Sequence, residues 1–399
     1  MNRILTLEDL DLDTLVGVPV FVRVDFNVPL VDGRVFDDAR LRAAVPTIEE
    51  LRTAGARVLL ASHCGRPKGE PDPQYSLRPV AAQLSHILRE EMPFIDDCIG
   101  ESVARAVAAL PSGGVCLLEN LRFHAGEKGN DPNFAAALAA PVEVFVNDAF
   151  GAAHRAHASV VGIAALASRK AAGRLLAREV DVLSSLLEAP ATPFVAVVGG
   201  AKIEGKIDTL DNLLPRLDTL ILGGGMANTF LAASGHDLAD SLVENDRLDL
   251  AREILGRAAE TGTEILLPTD LVVTDNLDAP HDIRIVAVDT VPAGGRAVDI
   301  GPRSRSRAAE AISSAGTIFW NGPFGVFEKP PFDEGTLAVA RAVAASTGWS
   351  VIGGGETVAA AAKAAVIDRV GHVSTGGGAS LELLAGKTLP GVSALEVSS

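Results

Sequence analysis

Short apolar runs recur along this chain, and Ala- and Leu-rich segments of helical period alternate with them. The first half holds "VPVFVRVDF" (18–26), "ARVLLAS" (56–62), "GVCLLEN" (114–120) and "VEVFVND" (142–148). The second half holds "FVAVVGG" (194–200), "TLILGGG" (219–225), "TIFWNGP" (317–323) and "WSVIGGG" (349–355). Runs this short and this apolar, spaced by helices, are the mark of strands buried on both faces in parallel sheets. The pattern predicts an α/β fold of two doubly wound, Rossmann-like parallel-sheet domains with a cleft between them. Between the halves, "RKAAGRLLAREVDVLSSLLEAP" (169–190) reads as one helix of about five turns, closed by Pro190. Leu175, Leu176, Val180, Leu183, Leu186 and Leu187 keep to one face of it. The expected domains are therefore 1–170 and 191–386, with 171–190 as the connecting helix. The tail 387–399, "KTLPGVSALEVSS" after Gly386, shows no element of its own and is expected to pack back on the first domain.

Aromatics are only 4% of the 399 residues, so the core must come from Ala, Val, Leu and Ile, which suits α/β layers better than a β-sandwich. Acidic residues outnumber basic ones by 51 to 35, a formal charge of −16. Such a surface repels nucleic acid and anionic membranes, so neither is expected as a partner. No run approaches the ~18 apolar residues of a membrane span, and the acidic "MNRILTLEDLDLD" is no signal peptide. Cys64, Cys98 and Cys116 are odd in number and widely spaced, fitting neither a disulfide framework nor a zinc pattern. A cytoplasmic monomer is the expectation.

In open parallel sheets, ligands bind beyond the carboxyl ends of the strands. The first-half strands are followed by "DFNVP", "SHCGRP", "NLRFHAGE" and "NDAFGAAHRAH". These loops bring Asp25, Asn27, His63, Arg66, Arg122, His124, His154 and Arg155 to one sheet edge, where Arg40 of "DDARLRAAVPTIEEL" can join them. A single arginine ordinarily pairs with a surface acid. Several guanidinium groups at one sheet edge, in a chain of net charge −16, make an anion pocket for carboxylate or phosphate. His86 and His236 sit in ordinary helical or turn contexts and are read as structural.

The second half follows its strands with glycine: "GGAK", "GGGMANTF", "GGGETVAAAA" and "HVSTGGGASLELL". Each cluster is expected to run into a helix and to offer backbone N–H groups to phosphate oxygens. None fits G-x-G-x-x-G followed by a helix, which disfavours a dinucleotide. Gly200 to Lys206 fits the P-loop pattern, but Ile207 stands where a Ser or Thr would hold Mg²⁺. That match is accidental, and phosphate binding remains the best reading of the loop. Lys202 and Lys206, four apart, are expected on one face of a helix starting near Gly200. A metal would then be held elsewhere, with Glu356 of "GGGETV" the candidate.

"VRVDFNVPL", "SHCGRPKG", "LLENLRFHAGEKGND", "VNDAFGAAHRAHAS", "VGGAKIEGKI", "LGGGMANTFL", "FWNGPFGVFE", "IGGGET" and "HVSTGGGASLELLAGKTLPGV" follow one another along nearly the whole chain. In kind and order they resemble the motifs of phosphoglycerate kinases. The resemblance implies reversible phosphoryl transfer between 1,3-bisphosphoglycerate and MgADP, giving 3-phosphoglycerate and MgATP, with one α/β domain for each substrate. It implies that Asp25 and Asn27, with Phe26, Cys64 and Gly65 beside them, line the glycerate site. Arg40, His63, Arg66, Arg122 and Arg155 would hold carboxylate and phosphate. For the nucleotide it implies Gly200, Lys202, Lys206, Gly223 and Asn321, with Glu328 on the ribose. Gly354, Gly355, Glu356 and Thr357 would serve phosphates and Mg²⁺, Glu356 standing where the family usually has Asp. Arg40 and Lys202 would flank the transferring group, with the amides of Gly376 and Gly377 completing the cradle. Cys64, among positive charges, is either a thiolate or a buried inert thiol. The alternative function is a non-catalytic nucleotide-binding protein on the same scaffold, which would lack the first-half arginines.

Overall fold

The apolar runs of the first half shorten to strands of four or five residues, because their polar ends turn out of the sheet into loops. In the computed structural model, which describes residues 3–397, the backbone forms two units. One is Met1–Asp181 with Thr388–Ser399, the other Val182–Lys387. The first begins with β1 (Pro19–Arg23), the hairpin β2 (Leu30–Val31) and β3 (Arg34–Val35), α1 (Ala39–Thr53), β4 (Arg57–Ala61) and α2 (Arg78–Leu88). It continues with β5 (Phe94–Ile95), α3 (Glu101–Ala109), β6 (Val115–Leu118), α4 (Pro132–Ala139), β7 (Val144–Asn147), α5 (Ile163–Leu166) and β8 (Arg169–Ala172). Six of these strands form one parallel sheet in the order β5-β6-β4-β1-β7-β8. The strand order reverses at β1, which lies between β4 and β7, and its carboxyl end is where such sheets bind ligands.

The segment 169–190 departs from the expected single helix. Arg169–Ala172 is the edge strand β8, and α6 (Arg174–Glu188) starts only after Gly173. Asp148, fully buried at the end of β7, sets that start. Its Oδ1 accepts the Leu175 and Leu176 amides at 2.9 and 3.1 Å, satisfying first-turn donors. A Cβ on residue 173 would lie 2.3 Å from the same oxygen, so only glycine fits there. Leu176, Val180, Leu183 and Leu186 of α6 are buried as expected, while Leu175 and Leu187 are half-buried.

Burial pushes the Asp148 carboxyl up to about 7 against the hydrogen bonds it accepts. The folded state therefore keeps a proton that the unfolded chain releases near pH ~4. Stability from this group is present at low pH and falls as pH rises toward about 7. Asp299, raised likewise to about 7 by burial, adds to the same slope. Asp148→Asn is expected to flatten the decline of melting temperature over this window, measured by calorimetry. An unchanged slope would assign it to Asp299 or another group.

The second unit contains β9 (Phe194–Val198), α7 (Ile207–Leu213), β10 (Thr219–Leu222), α8 (Gly224–Ala233), α9 (Leu248–Thr261) and β11 (Glu264–Leu266). Then come β12 (Asp270–Thr274), β13 (Ile283–Ala287), β14 (Arg296–Ile300), α10 (Pro302–Ser313), β15 (Thr317–Asn321) and α11 (Glu334–Ala345). β16 (Trp349–Gly353), α12 (Gly355–Lys363), β17 (His372–Val373) and α13 (Gly378–Leu384) complete it. Its parallel sheet runs β11-β10-β9-β15-β16-β17, and a separate antiparallel sheet runs β13-β12-β14. Trp320, Phe324 and aliphatic side chains fill one apolar core, with Ala360 and Ala361 of α12 packed into it.

The tail forms a short helix, α14 (Pro390–Ser393), where no element was expected. Within the first unit the Gly391 amide donates to Ala153 O at 2.8 Å, and the Leu5 amide to Leu395 O at 2.8 Å. Among the described residues no helix is long and apolar enough to cross a membrane.

Candidate active site

In the first unit, β1 ends on a charge inside the fold. Arg23 is fully buried, its Nε donating to Ser159 Oγ at 2.9 Å and its Nη2 lying 3.0 Å from His63 Nδ1. Ser159 donates in turn, from Oγ at 2.7 Å and from its amide at 3.0 Å, to the carboxylate of fully buried Glu127. A guanidinium and a carboxylate are thus bridged by one hydroxyl beneath the sheet edge. A guanidinium can only donate, so His63 Nδ1 accepts, and a neutral ring carries its proton on Nε2.

The expected residues assemble above this base. Arg40 Nη1 donates to Asp25 Oδ2 at 2.7 Å, and Asn27 Oδ1 accepts the Gly65 amide at 2.9 Å. Arg122 Nη1 donates to Gly65 O at 2.6 Å, while its Nε is buried without a partner. Burial holds His63 well below its ordinary range, and Arg23, Arg122 and Arg40 push the same way. His157 falls to about 4 through burial and then Arg122 and Arg23. Arg122 itself is lowered to about 10 by burial, then by Arg23 and Arg155. Positive charge in this pocket exceeds its internal compensation, the condition for holding an anion.

Arg66 and Arg155 are exposed; Arg155 Nε lies 3.0 Å from His154 Nε2. Two expected residues turn their side chains into the core. Phe26 is fully buried, with its amide on Ser62 Oγ at 2.8 Å, so its ring serves the core. Cys64 also belongs to the apolar core, and burial followed by Glu119 raises its thiol. Its burial and raised thiol favour the inert-thiol reading, with nearby Arg122 opposing the rise only in part. Arg23, Glu127, His157 and Ser159 were missed, although an arginine within the apolar "VFVRV" was a signal for the first.

In the second unit the loop after β9 corrects another expectation. No helix starts near Gly200; residues 200–206 bend and turn, and α7 begins at Ile207. Ile203 is fully buried and its amide donates to Glu244 Oε2 at 2.6 Å, which holds the segment away from helical geometry. Lys202 and Lys206 therefore share no helix face. Lys202 is exposed, while Lys206 donates from Nζ to Gly199 O. Burial lowers the Lys206 ammonium to about 8, with Glu356 opposing.

The glycine clusters are of two kinds. The Gly200, Gly223, Gly224 and Gly322 amides are committed to Pro323 O, Val198 O, Phe324 O and Thr357 Oγ1, at 2.8, 3.1, 3.0 and 2.7 Å. Loop packing explains two glycines here. A Cβ on Gly199 would lie 2.1 Å from Pro323 O, and one on Gly223 would lie 2.2 Å from the Phe324 ring. The amides of Gly200 and Gly223 are thus bonded within the loops, while Gly200 still lines a cavity beside them. Gly354 is different: at φ +92° it caps the start of α12, whose first amides lack intrahelical acceptors. Asn321 Nδ2 pins this loop through Gly353 O at 2.7 Å, and the Thr357 hydroxyl pins it through Gly322. Gly377 caps the start of α13, while the Gly376 amide already donates to Ser374 Oγ at 3.2 Å. A cavity of about 440 Å³ adjoins these loops, lined among others by Gly200, Gly225, Leu271, Phe324, Glu328 and Glu356.

The fold and these features define a class, that of α/β proteins that handle small phosphorylated ligands at parallel-sheet edges. The family model described as phosphoglycerate kinase matches residues 7–387. The chain is 54% identical over 393 residues to the phosphoglycerate kinase of Moorella thermoacetica, covering 98% of both chains. It is 53% identical over 392 residues to that of Desulforudis audaxviator, again covering 98% of both. Among solved structures, phosphoglycerate kinase from Coxiella burnetii matches with a TM-score of 0.90 at 43% identity, over 98% of this chain and 99% of that one. The enzyme from Pyrococcus horikoshii matches at 0.85 and 33% identity, over 98% of each. This chain belongs to the phosphoglycerate kinase family.

Proposed function

We propose that this chain catalyses reversible phosphoryl transfer between 1,3-bisphosphoglycerate and MgADP, giving 3-phosphoglycerate and MgATP. The observation that carries this reading is the arginine pocket of the first unit, where Arg122 is lowered by burial and by the neighbouring Arg23 and Arg155. A protein that only bound nucleotide would have no use for such a concentration of positive charge there. We assign 3-phosphoglycerate to residues 1–170 with the tail, and the nucleotide to 191–386.

Arg40, Arg66, Arg122 and Arg155 hold the carboxylate and phosphate of the glycerate, with Asp25 and Asn27 on its hydroxyl. His63 donates from Nε2, a state fixed by Arg23 beneath it. In the second unit the cavity takes the base and ribose, with Glu328 accepting from ribose hydroxyls. The α12 N-terminus and Lys206 hold phosphates, and Lys202 stabilises the transferring group with the Gly377 amide. An acyl phosphate is already a reactive donor, so positioning and charge suffice and no strong general base is needed.

Mg²⁺ fits the residues present. Glu356 is an exposed carboxylate on the cavity wall, the hard oxygen donor this ion prefers, while Thr357 Oγ1 already accepts from Gly322. Glu356 would hold the ion directly or through water, and the bound ion supplies charge neutralisation on the nucleotide phosphates. The partners are then small molecules, bound by a monomer of net charge −16 that does not take up nucleic acid. Three buried cysteines without disulfides suit the cytoplasm.

A coupled assay with 3-phosphoglycerate and MgATP tests the function. ADP release that requires both substrates is expected; ATP binding without it would leave only the non-catalytic alternative. Glu356→Gln is expected to raise the Mg²⁺ concentration for half-maximal activity, and Glu356→Asp to preserve most activity. Superimposable Mg²⁺ titrations for wild type and Glu356→Gln would remove Glu356 from the metal.

A further inference from the structure

In the first unit, the parallel pairing of β5 with β6 brings together residues far apart in sequence. Asp97 and Cys98 follow β5, and His124 follows β6. One ligand atom from each lies within 4.8 Å of the other two. The sequence spacing hid this, because two of the groups are adjacent and the third comes from another strand end.

We propose that Asp97, Cys98 and the His124 imidazole form a binding site for a thiophilic divalent cation of the zinc class, with water as the fourth ligand. Carboxylate, thiolate and imidazole are the three donor types zinc accepts, and three protein ligands leave one position open. Ligand atoms around a tetrahedral zinc lie ~3.5 Å apart, given bonds of about 2.0–2.3 Å. The His124–Asp97 pair, now hydrogen-bonded at 2.8 Å, would open to that spacing, and no pair exceeds 4.8 Å, so shifts of about 1 Å suffice. The side chains that must move are the accessible ones, Asp97 at 45% and His124 at 31% exposure. Cys98 is the buried anchor.

The surroundings already orient the ligands. His124 stacks on Phe134 with ring centroids 5.1 Å apart, and its Nε2 lies 2.8 Å from Asp97 Oδ1. The same Asp97 oxygen accepts the Cys98 backbone amide at 2.6 Å, which fixes the carboxylate at this turn. Burial first, and then the negative charges of Asp97, Glu127 and Glu119, raise the Cys98 thiol, and those charges favour a cation beside it. An ion here would clamp edge strand β5 to the loop that carries Arg122 two residues before His124.

Cobalt(II) titration of the intact chain tests the site, because a thiolate ligand gives a cobalt charge-transfer band in the near ultraviolet. One equivalent should produce that band together with tetrahedral visible bands, and Zn²⁺ should displace both. The band should vanish in Cys98→Ser and persist in Cys116→Ser. His124→Gln, a change at a partly exposed position that spares the core, should weaken Co²⁺ and Zn²⁺ binding at least about tenfold. Absence of a thiolate band, or its persistence in both Cys98→Ser and His124→Gln, would overturn the proposal. So would Zn²⁺ binding that disappears only in Glu356→Gln, since the ion would then sit on the nucleotide side.

Discussion

Lys202→Ala is expected to lower kcat by about 10²-fold or more, with a smaller effect on KM for either substrate. The reason lies in how its loop is held. The Gly200 amide is fixed on Pro323 O at 2.8 Å, and the buried Ile203 is fixed by its amide on Glu244. Lys202 sits between these anchors with its side chain exposed and without a hydrogen bond or ion pair among the described residues. Lys206, by contrast, is already engaged with Gly199 O. A cation on a fixed backbone, not engaged with protein groups, is placed to meet charge that develops in the transition state. Steady-state kinetics at saturating substrates decide the matter. A variant with normal kcat and a raised KM would reduce Lys202 to a ground-state contact.

The central strands were legible because a strand covered on both faces reads as an unbroken apolar run, as "FVAVV" and "TIFWN" do. The edges were not. β5 and β17 have two residues each, too few to carry a period. β8, with Arg169 and Lys170, was absorbed into the helix that follows it. β13 carries Arg284 between Ile283 and Ile285, all three exposed, so its antiparallel sheet leaves no apolar signature. At the site, the identity of the strand-end charges was legible because parallel topology gathers carboxyl ends. What those charges bond to was not, since Arg23 reaches Ser159 across 136 positions and Ser159 reaches Glu127 across 32. The four-residue spacing of Lys202 and Lys206 misled because it has meaning only on a helix, and the anchoring of Ile203 prevents one. Glycine carried a packing constraint that was hidden for a related reason. Its role at Gly199 and Gly223 depends on Pro323 and Phe324, which the sequence places more than a hundred positions away.

Glu127→Gln is expected to destabilise the first unit by about 3–5 kcal/mol, the typical effect of leaving a buried charge without its counter-charge. Arg23 is fully buried, and Glu127 is the foremost charge supporting its ionised state, with Asp25 behind it. Glutamine removes that charge, and its amide N–H₂ meets one of the two Ser159 donors instead of accepting from it. Replacing both partners, Arg23→Met with Glu127→Leu, should recover part of the loss, because neither charge is then left buried. Function should separate from stability in that double variant. Without Arg23 the proton on His63 is no longer directed to Nε2, so affinity for 3-phosphoglycerate should stay reduced while the melting temperature recovers. Chemical denaturation of the single and double variants, with calorimetric titration of 3-phosphoglycerate into each, measures both quantities. A Glu127→Gln chain within about 1 kcal/mol of wild type would mean that Asp25 alone satisfies Arg23. Full recovery of affinity in the double variant would mean that the His63 ring is oriented by the pocket arginines and not from beneath.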